Sequence, residues 1–387
     1  MKEVVLFAGT RPEAVKIAPV ALALADHPVL RPIVVHSGQD TGMVEQALRA
    51  FGLSVDVELD APRATGGQAE LLACLVAEFD RLLRTREPAV VLVQGDTTTA
   101  LAGALAAFWR GIPVAHLEAG LRTGDLAGPF PEEGTRQMIA RIATLHLAPT
   151  DDDAAALVGE GMADRRIVVT GNTVVDAVRR VAAADLPARD PDLALLERVL
   201  DGRSERLVLV TVRRRESWGE PLRRVLGAVR AIADRHPDVR VLLPLHPDPG
   251  VRAAARDVLG GHERIVVTEP LDYSDLVRAL RRSVLVLTDS GGIQEEAPTF
   301  GVPVLVLRET TERVSAVEAG CAWLVGTDPI RIVAEAGWVL GARLRLPVGH
   351  NPFGDGRAAA RVRGALERLV GLPTDFASAP LPVRIPS

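Results

Sequence analysis

Several short apolar runs in this chain lead directly into residues that could bind an anion or move a proton. The first run, residues 4–9, continues into Thr10, Arg11 and Pro12. Glycine at position 9 permits a tight turn, proline suits the first position of a helix, and an arginine beside a helix N-terminus attracts negative charge. The segment is equally consistent with an anion-binding site and with an ordinary strand-to-helix turn that carries a solvated arginine.

A second candidate turn, residues 289–292, follows another apolar run and opens a predicted helix. Its two glycines let backbone N–H groups approach a phosphate, and Ser290 adds a hydroxyl. Glu295 and Glu296 follow about one helical turn later, where a carboxylate can accept hydrogen bonds from ribose hydroxyls. A capped helix with solvated acids is the alternative interpretation.

Other common cofactor and metal motifs are absent. No G-x-G-x-x-G follows an apolar run into a helix, and no G-x-x-x-x-G-K-[ST] occurs. The absence of these motifs argues against a binding site for a nicotinamide dinucleotide and against a P-loop nucleotide site. His116 and Glu118, with Asp96, are weak evidence for a metal site because no Cys-x-x-Cys accompanies them. The sequence predicts neither a cofactor nor a metal.

The elements that would position these residues alternate along the chain. The apolar runs are short, unalternated and rich in Val, Leu and Ile, which is typical of parallel strands buried on both faces. The predicted strands are 4–9, 33–38, 89–95, 114–119, 206–212, 239–246, 264–269, 284–290 and 302–308. Helical stretches, among them 67–84, 97–109, 222–235 and 328–343, lie between them. Such alternation predicts an α/β fold with helices on both faces of each sheet.

The alternation restarts after a polar, Pro- and Asp-rich stretch at 185–193. We expect two doubly wound, Rossmann-like domains, 1–170 and 171–356, with a ligand cleft between them. Ligands of open α/β sheets bind at the carboxyl ends of the strands, where the turns described above are expected. The stretch 357–370 is predicted to be helical, and the residues beyond it to form a loose tail.

Composition excludes several classes of protein. The 387 residues are 48% hydrophobic and 25% charged, which excludes wholesale disorder. A formal net charge of −5 is not that of a nucleic-acid-binding protein, and no apolar run is long enough to span a membrane. The N-terminus does not resemble a signal peptide. Cys74 and Cys321 lie far apart in apolar segments, which fits a reducing cytoplasm.

Seven segments together resemble the non-hydrolysing UDP-N-acetylglucosamine 2-epimerases. They are GTRPEAVKIAP (9–19), QGDTTTA (94–100), HLEAGLRTGDL with PFPEE (116–133), GNTVVDA (171–177), TDSGGIQEEAP (288–298), TTER (310–313) and NPFGDG (351–356). The resemblance extends from about residue 1 to about residue 370 and implies a GT-B fold, in which helix 357–370 returns to the first domain. It also implies a homodimer and a UDP-sugar substrate.

The resemblance further implies a reaction and the residues that perform it. UDP leaves carbon 1 while a proton leaves carbon 2. UDP then adds back to carbon 1, and a proton is delivered to the opposite face of carbon 2. Asp96, Glu118 and Glu132 match the family's catalytic carboxylates, and Glu132 is expected in a Pro-flanked loop. The matches for UDP binding are Arg11, Ser290, Gly291, Gly292, Glu296 and Arg313, with Lys16 and His246 as neighbours.

Two departures from the family pattern bear on activity. A histidine implicated in catalysis is replaced by Arg213, whose guanidinium can support a departing diphosphate but cannot shuttle protons near neutrality. The histidine of a Gln-His pair, part of an activating site in bacterial relatives, is replaced by Asp40. A carboxylate there would repel a diphosphate. The loop after Arg313 also lacks the family's proline.

These departures leave four hypotheses in place. The leading one is the epimerase with UDP-N-acetylglucosamine. The others are an epimerase for a different nucleotide sugar, a hydrolysing epimerase, and a nucleotide-sugar-binding relative with little turnover.

Overall fold

The computed structural model describes residues 1–39, 42–62, 65–202, 204–214, 217–349 and 351–374. The chain divides into two compact units. Unit 1 is Met1–Ala177 together with the chain from Phe353 on, and unit 2 is Val178–Pro352. These divisions lie a few residues from the predicted boundaries, 170/171 and 356/357.

Unit 1 is built on a parallel sheet of seven strands in the order β3-β2-β1-β4-β5-β6-β7. The strands are β1 (Lys2–Ala8), β2 (Leu30–His36), β3 (Val57–Glu58), β4 (Val90–Gln94), β5 (Val114–Leu117), β6 (Leu145–Ala148) and β7 (Ile167–Val169). The helices are α1 (Arg11–Ala25), α2 (Met43–Arg49), α3 (Gln68–Arg86), α4 (Thr98–Trp109), α5 (Glu132–Ile142), α6 (Asp151–Gly159), α7 (Thr173–Ala184), which continues into unit 2, and α15 (Ala358–Leu369). Helix α15 packs against α1.

Unit 2 repeats this strand order in a parallel sheet of six strands, β10-β9-β8-β11-β12-β13. The strands are β8 (Arg206–Thr211), β9 (Val239–Pro244), β10 (Ile265–Thr268), β11 (Ser283–Thr288), β12 (Val304–Val306) and β13 (Ala322–Leu324). The helices are α8 (Pro191–Gly202), α9 (Glu220–Arg235), α10 (Pro249–Leu259), α11 (Tyr273–Arg282), α12 (Gly291–Glu296), α13 (Val314–Glu318) and α14 (Pro329–Ala342). Asp164–Arg166 and Ala297–Phe300 form short 3₁₀ turns.

The predicted doubly wound α/β class is confirmed, and every predicted strand is present. The strands that sequence analysis did not predict, β3, β6, β7 and β13, are two to four residues long. Runs this short carry little periodicity, so only pairing with a longer neighbour identifies them as strands. Part of the polar stretch 185–193 is held by Asp275 of α11, which accepts hydrogen bonds from the backbone N–H groups of Arg189 and Asp190.

Burial explains why these strands read as continuous apolar runs. Residues 4–8 of β1 are fully buried, since α1 covers one face of the sheet while α3 and α4 cover the other. Phe7 of β1 stacks on Phe79 of α3 with ring centroids 3.9 Å apart. Of α4, expected to be buried, only the terminal Phe108 and Trp109 are exposed. No helix in the described ranges combines the length and the hydropathy of a membrane span.

The strand order fixes one position in each sheet where polar residues can converge. The strand order reverses direction between β1 and β4 in unit 1 and between β8 and β11 in unit 2. Helices leave these strand pairs on opposite faces, which opens a crevice at the carboxyl edge. The turns after these strands are therefore where ligand-binding residues are expected.

Two histidines of unit 1 are buried inside its sheet. His116 on β5 and His146 on β6 are register partners, and both side chains are inaccessible to solvent. Burial lowers the pKa of His116 to about 3 and that of His146 to about 4, where Arg166 and Arg122 act in the same direction. The pKa of an exposed histidine is about 6.5. The folded chain therefore holds both rings neutral at pH values where the unfolded chain takes up protons.

This difference predicts an acid-labile unit 1. The stabilisation is complete above pH of about 6.5 and is lost as the pH falls toward the lowered pKa values. Between pH 7 and pH 5, the wild-type chain should lose about 2 kcal/mol more free energy of unfolding than His146→Leu. Urea titrations at the two pH values measure the free energy of unfolding of each protein. His262→Leu, at a partly exposed histidine of unit 2, is the control. Parallel losses in wild type and His146→Leu would contradict the prediction.

Candidate active site

The predicted catalytic residues of unit 1 lie at the carboxyl edge of its sheet. Asp96 follows β4 after Gly95, and Glu118 follows β5 directly. Arg11 is the first residue of α1. The expectation that Glu132 lies in a loop is wrong: it is the first residue of α5, because Pro131 occupies the cap position and acidic residues suit a first helical turn.

Glu118 is a buried carboxylate with two polar partners. Its Oε2 lies 2.5 Å from Nζ of Lys16, and the side-chain amide of Gln94 donates a hydrogen bond to the same oxygen. The φ of Glu118 is +65°, a left-handed conformation that is uncommon for residues other than glycine. Strain of this kind persists only where surrounding contacts enforce it, and it concentrates at functional sites.

Lys16, predicted as a neighbour of the substrate, lies against this acid. It is buried on α1, and its ammonium compensates the buried charge of Glu118. Burying a carboxylate costs several kcal/mol unless a charge or hydrogen bonds offset it. The Lys16 contact therefore offsets part of the cost of burying the candidate catalytic acid.

Asp96 is also paired, with a residue that sequence analysis missed. Its Oδ2 lies 2.8 Å from Nη2 of Arg136, a buried residue of α5. Nη1 of Arg136 lies 3.6 Å from the buried Glu133. Arg136 follows Glu132 by one helical turn, three residues beyond the matched segment 116–133, so its spacing from Glu132 was the available signal. The Asp96 side chain is partly exposed, and the ion pair with Arg136 fixes its orientation.

The turn after β1 contains an internal acid. Glu13 of α1 is fully buried, and it accepts hydrogen bonds from the backbone N–H of Gly9, the hydroxyl of Thr10 and the hydroxyl of Thr97. Burial raises the pKa of Glu13 to about 7, although these hydrogen bonds act in the opposite direction. Because Glu13 already takes the Gly9 N–H, an anion at this turn has to be held by other groups such as the side chain of Arg11.

The predicted phosphate turn of unit 2 follows β11 and is held by Asp289. This carboxylate is buried and accepts hydrogen bonds from the backbone N–H groups of Arg213 and Arg214, 3.0 and 2.9 Å away. Arg213 follows β8 and its side chain is exposed. Ser290 occupies the N-cap position of α12, which starts at Gly291 and continues through Gly292. Asp289 thereby ties the Arg213 segment to the glycine turn.

A buried group of arginines and glutamates surrounds this turn. Arg313 lies 2.9 Å from Glu295 and also contacts Glu312. Arg308 and Arg214 approach Glu312 to 2.9 and 3.5 Å. Burial opposes ionisation of Glu312, but these three arginines outweigh it and hold its pKa well below the usual range. Glu312 precedes the predicted Arg313, yet its role depends on contacts that sequence spacing does not encode.

The remaining predicted residues of unit 2 have protein partners. Oε1 of the buried Glu296 lies 3.2 Å from the hydroxyl of Tyr273, which donates to it. His246 follows β9, and its ring lies 5.1 Å from that of Trp218. The binding roles assigned to these residues stay predictions.

One cluster among the described residues has the donors and spacing of a metal site. His36, Glu45 and Glu58 present ligand atoms within 4.8 Å of one another. Nδ1 of His36 lies 2.8 Å from a carboxylate oxygen of Glu45. The cluster is distinct from His116 and Glu118, which the sequence had raised as possible ligands. Asp40, predicted to weaken an activating site, lies outside the described residues.

Two α/β units, each with the Rossmann strand order and polar residues at its switch point, define a protein of the GT-B structural class. A family model described as UDP-N-acetylglucosamine 2-epimerase matches residues 22–367. The chain belongs to this family, whose members are isomerases.

Individual relatives resemble the chain over nearly its full length. The UDP-N-acetylglucosamine 2-epimerase of Escherichia coli (strain K12) is 40% identical over 383 residues, 95% of this chain and 98% of that protein. S. aureus MnaA, in a co-structure with UDP, has a TM-score of 0.89 and 37% identity, covering 97% of this chain and 100% of its own. The Neisseria meningitidis UDP-GlcNAc 2-epimerase bound to UDP-GlcNAc has a TM-score of 0.87 and 34% identity, covering 95% and 100%.

The glycine pair at the turn predicts opposite effects of two similar substitutions. A Cβ at Gly291 would lie 2.7 Å from Cζ of Arg313 and displace its guanidinium from Glu295. We expect Gly291→Ala to cost about 1–3 kcal/mol, because displacing the guanidinium removes a partner of the buried Glu295. At Gly292 the nearest atom is 3.9 Å away, so alanine should stabilise the chain by up to about 1 kcal/mol in this helix. Urea unfolding compares them, and equal effects would contradict the steric argument.

Proposed function

We propose that the chain catalyses the reversible, non-hydrolysing epimerisation of UDP-N-acetylglucosamine to UDP-N-acetylmannosamine. The observation that carries the proposal is the pair of compensated carboxylates, Glu118 with Lys16 and Asp96 with Arg136, at one sheet edge. Membership of the epimerase family supports the substrate. Relatives in complex with UDP and with UDP-GlcNAc support the nucleotide-sugar class.

The reaction proceeds by elimination and re-addition. The bond between carbon 1 and the UDP oxygen breaks while a carboxylate removes the proton from carbon 2, which leaves UDP and 2-acetamidoglucal. UDP then adds back to carbon 1 as a proton is delivered to the opposite face of carbon 2. No water is consumed and no electron acceptor is needed, so the reaction requires no redox cofactor.

Unit 1 supplies the proton-transferring groups in this proposal. Asp96, Glu118 and Glu132 share the work on the two faces of carbon 2. The Lys16 ammonium lies 2.5 Å from Glu118 and offsets the cost of burying that carboxylate. General acid–base groups of this kind contribute about a hundredfold to ten-thousandfold each.

Unit 2 holds the UDP moiety in this proposal. The diphosphate lies at Ser290 and the two glycines that follow it, and Glu296 accepts hydrogen bonds from the ribose. Arg313 lies beside Gly291, which places a cation next to the turn. Arg11 and His246 are further contacts. Cationic and backbone donors aimed at a departing diphosphate stabilise its developing charge.

Arg213 takes the place of the family histidine as an electrostatic group. Its backbone is fixed by Asp289, while its side chain is exposed and permanently charged. Arg213 therefore supports the leaving diphosphate without transferring a proton. Because Arg213 replaces a histidine implicated in catalysis, a second candidate function is a protein that binds a nucleotide sugar with little turnover.

The oligomeric state and compartment follow from the same proposal. We infer a homodimer, the state that the family resemblance implies. The end of α4 exposes two aromatic side chains, Phe108 and Trp109, which could be buried at a subunit interface. Sedimentation velocity measures this. We place the protein in the cytoplasm, where its two unpaired cysteines would stay reduced. Fractionation of the producing cells tests it.

Turnover in deuterated water separates the hypotheses. With UDP-N-acetylglucosamine as substrate, we expect NMR to show that deuterium is incorporated at carbon 2 and that UDP stays attached to the sugar. Asp96→Asn, Glu118→Gln and Glu132→Gln should each slow the exchange by about 10²–10⁴-fold while the protein stays folded. Release of free sugar would indicate hydrolysis, binding without exchange would indicate the inactive relative, and exchange only with another UDP-sugar would change the substrate. Full activity in both Glu118→Gln and Glu132→Gln would remove these acids from the mechanism.

Arg213 offers a direct test of the electrostatic role. Arg213→Gln should lower kcat by about 10²–10³-fold, the cost of losing one charge-stabilising donor. The pH profile of kcat should keep its shape, because a guanidinium has no titration near neutrality. Arg213→His is the matched variant that restores the family residue. A new pH-dependent limb in Arg213→His is expected, whereas loss of an existing limb in Arg213→Gln would refute the assignment.

A further inference from the structure

We propose that Glu13 is a positioning residue that braces the turn after β1 against the turn after β4. The inference rests on the proposed function, because these turns carry Arg11 and Asp96. Glu13 itself is not assigned a contact with substrate. Its function is to keep the two turns in one fixed arrangement.

The two oxygens of Glu13 serve the two turns separately. Oε2 accepts hydrogen bonds from the backbone N–H of Gly9 at 3.0 Å and from the hydroxyl of Thr10 at 2.8 Å. Oε1 accepts a hydrogen bond from the hydroxyl of Thr97 at 2.6 Å. One side chain therefore connects residues that are far apart in sequence and that flank Arg11 on one side and Asp96 on the other.

The brace lies at the switch point of the unit 1 sheet. Strands β1 and β4 are parallel neighbours, so their carboxyl-terminal turns emerge side by side. Thr97 also accepts a hydrogen bond from the backbone N–H of Ala100, which caps α4. Through Thr97 the carboxyl group of Glu13 therefore sets both the path of the chain at Asp96 and the start of α4.

The donors to Glu13 show that shape matters more than charge. Each of its hydrogen bonds comes from a neutral group, in contrast to the ion-paired Glu118 and Asp96. Without a compensating cation, burial raises the pKa of the Glu13 carboxyl to about 7. A neutral, isosteric side chain that repeats these hydrogen bonds should do the same work.

Glutamine meets that requirement and alanine does not. In Glu13→Gln the amide oxygen can accept from Gly9 and Thr10, and the amide nitrogen can donate to the Thr97 hydroxyl, which reverses that bond. Glu13→Ala removes every link and leaves a cavity. We expect kcat of Glu13→Gln within about threefold of wild type and kcat of Glu13→Ala lower by about 10²-fold, the cost of misplacing groups by about 1 Å. The change in KM should be smaller than the change in kcat.

Glu367→Ala is the matched control for loss of a buried carboxyl. Glu367 lies on α15 of the same unit, is buried to a similar degree, and bonds to His27 at 3.2 Å. Its removal should lower stability and leave kcat of the folded fraction unchanged. Thr97→Val replaces Glu13→Ala if that variant does not fold. It cuts the link between the turns and also removes the hydroxyl that caps α4, and we expect a loss of kcat here as well.

Hydrogen exchange supplies a readout that needs no turnover. Amides of residues 9–12 and 96–99 should exchange faster in Glu13→Ala than in wild type, and at the wild-type rate in Glu13→Gln. Faster exchange at both turns in Glu13→Ala supports the positioning role of Glu13 even if the wild-type protein does not epimerise the substrate. The positioning role and the proposed function can therefore fail separately. Unchanged exchange in Glu13→Ala overturns the brace. A Glu13→Gln variant with native exchange but as inactive as Glu13→Ala also overturns it, since the charge or proton would then be essential.

Discussion

The carboxylate of Glu118 is the constraint on which the arrangement of unit 1 depends. It is buried, it sits in a left-handed backbone conformation, and Lys16 and Gln94 are hydrogen-bonded to one of its oxygens. These three residues come from three elements, α1, β4 and the turn after β5. An uncompensated buried charge is strongly destabilising, so these elements cannot shift relative to one another without cost.

The choice of lysine at this position is itself informative. Lys2 and Lys16 are the only lysines in the sequence, and all other permanent cationic side chains are arginines. A compact ammonium on a flexible stem fits beside a single carboxylate oxygen in a buried site, whereas a guanidinium is planar and forked. Arginine is used instead where two acids are approached at once, as by Arg136 between Asp96 and Glu133 and by Arg313 between Glu295 and Glu312.

The two units apply one strand order to different chemistry. Around its switch point, unit 1 carries several acids, of which Glu118 and Asp96 are each paired with a cation. Unit 2 carries a glycine turn and arginines. There Glu312 pairs with arginine side chains, and Asp289 holds the backbone of the Arg213 segment in place. Each unit thus places charge where its own part of the proposed reaction requires it.

The sequence by itself determined the fold class and the long strands, and it placed Asp96 and Glu118 just after strands. Buried parallel strands need uninterrupted apolar runs, and turns next to ligands need glycine and polar residues, so local composition encodes both. Strands as short as β3 and β13 carry too few residues for a pattern. The helical start at Glu132 was missed because its prolines also suit a loop.

Only the tertiary structure decided which residues face each other. Arg136, Gln94, Glu13 and Glu312 are ordinary polar residues in sequence, and each acquires its role from a partner on another turn or element, or beside it in the folded chain. Pairwise contacts depend on the register of strands and the packing of helices, which one sequence does not specify locally. The sequence therefore located the candidate site, and the fold determined how its charges are held.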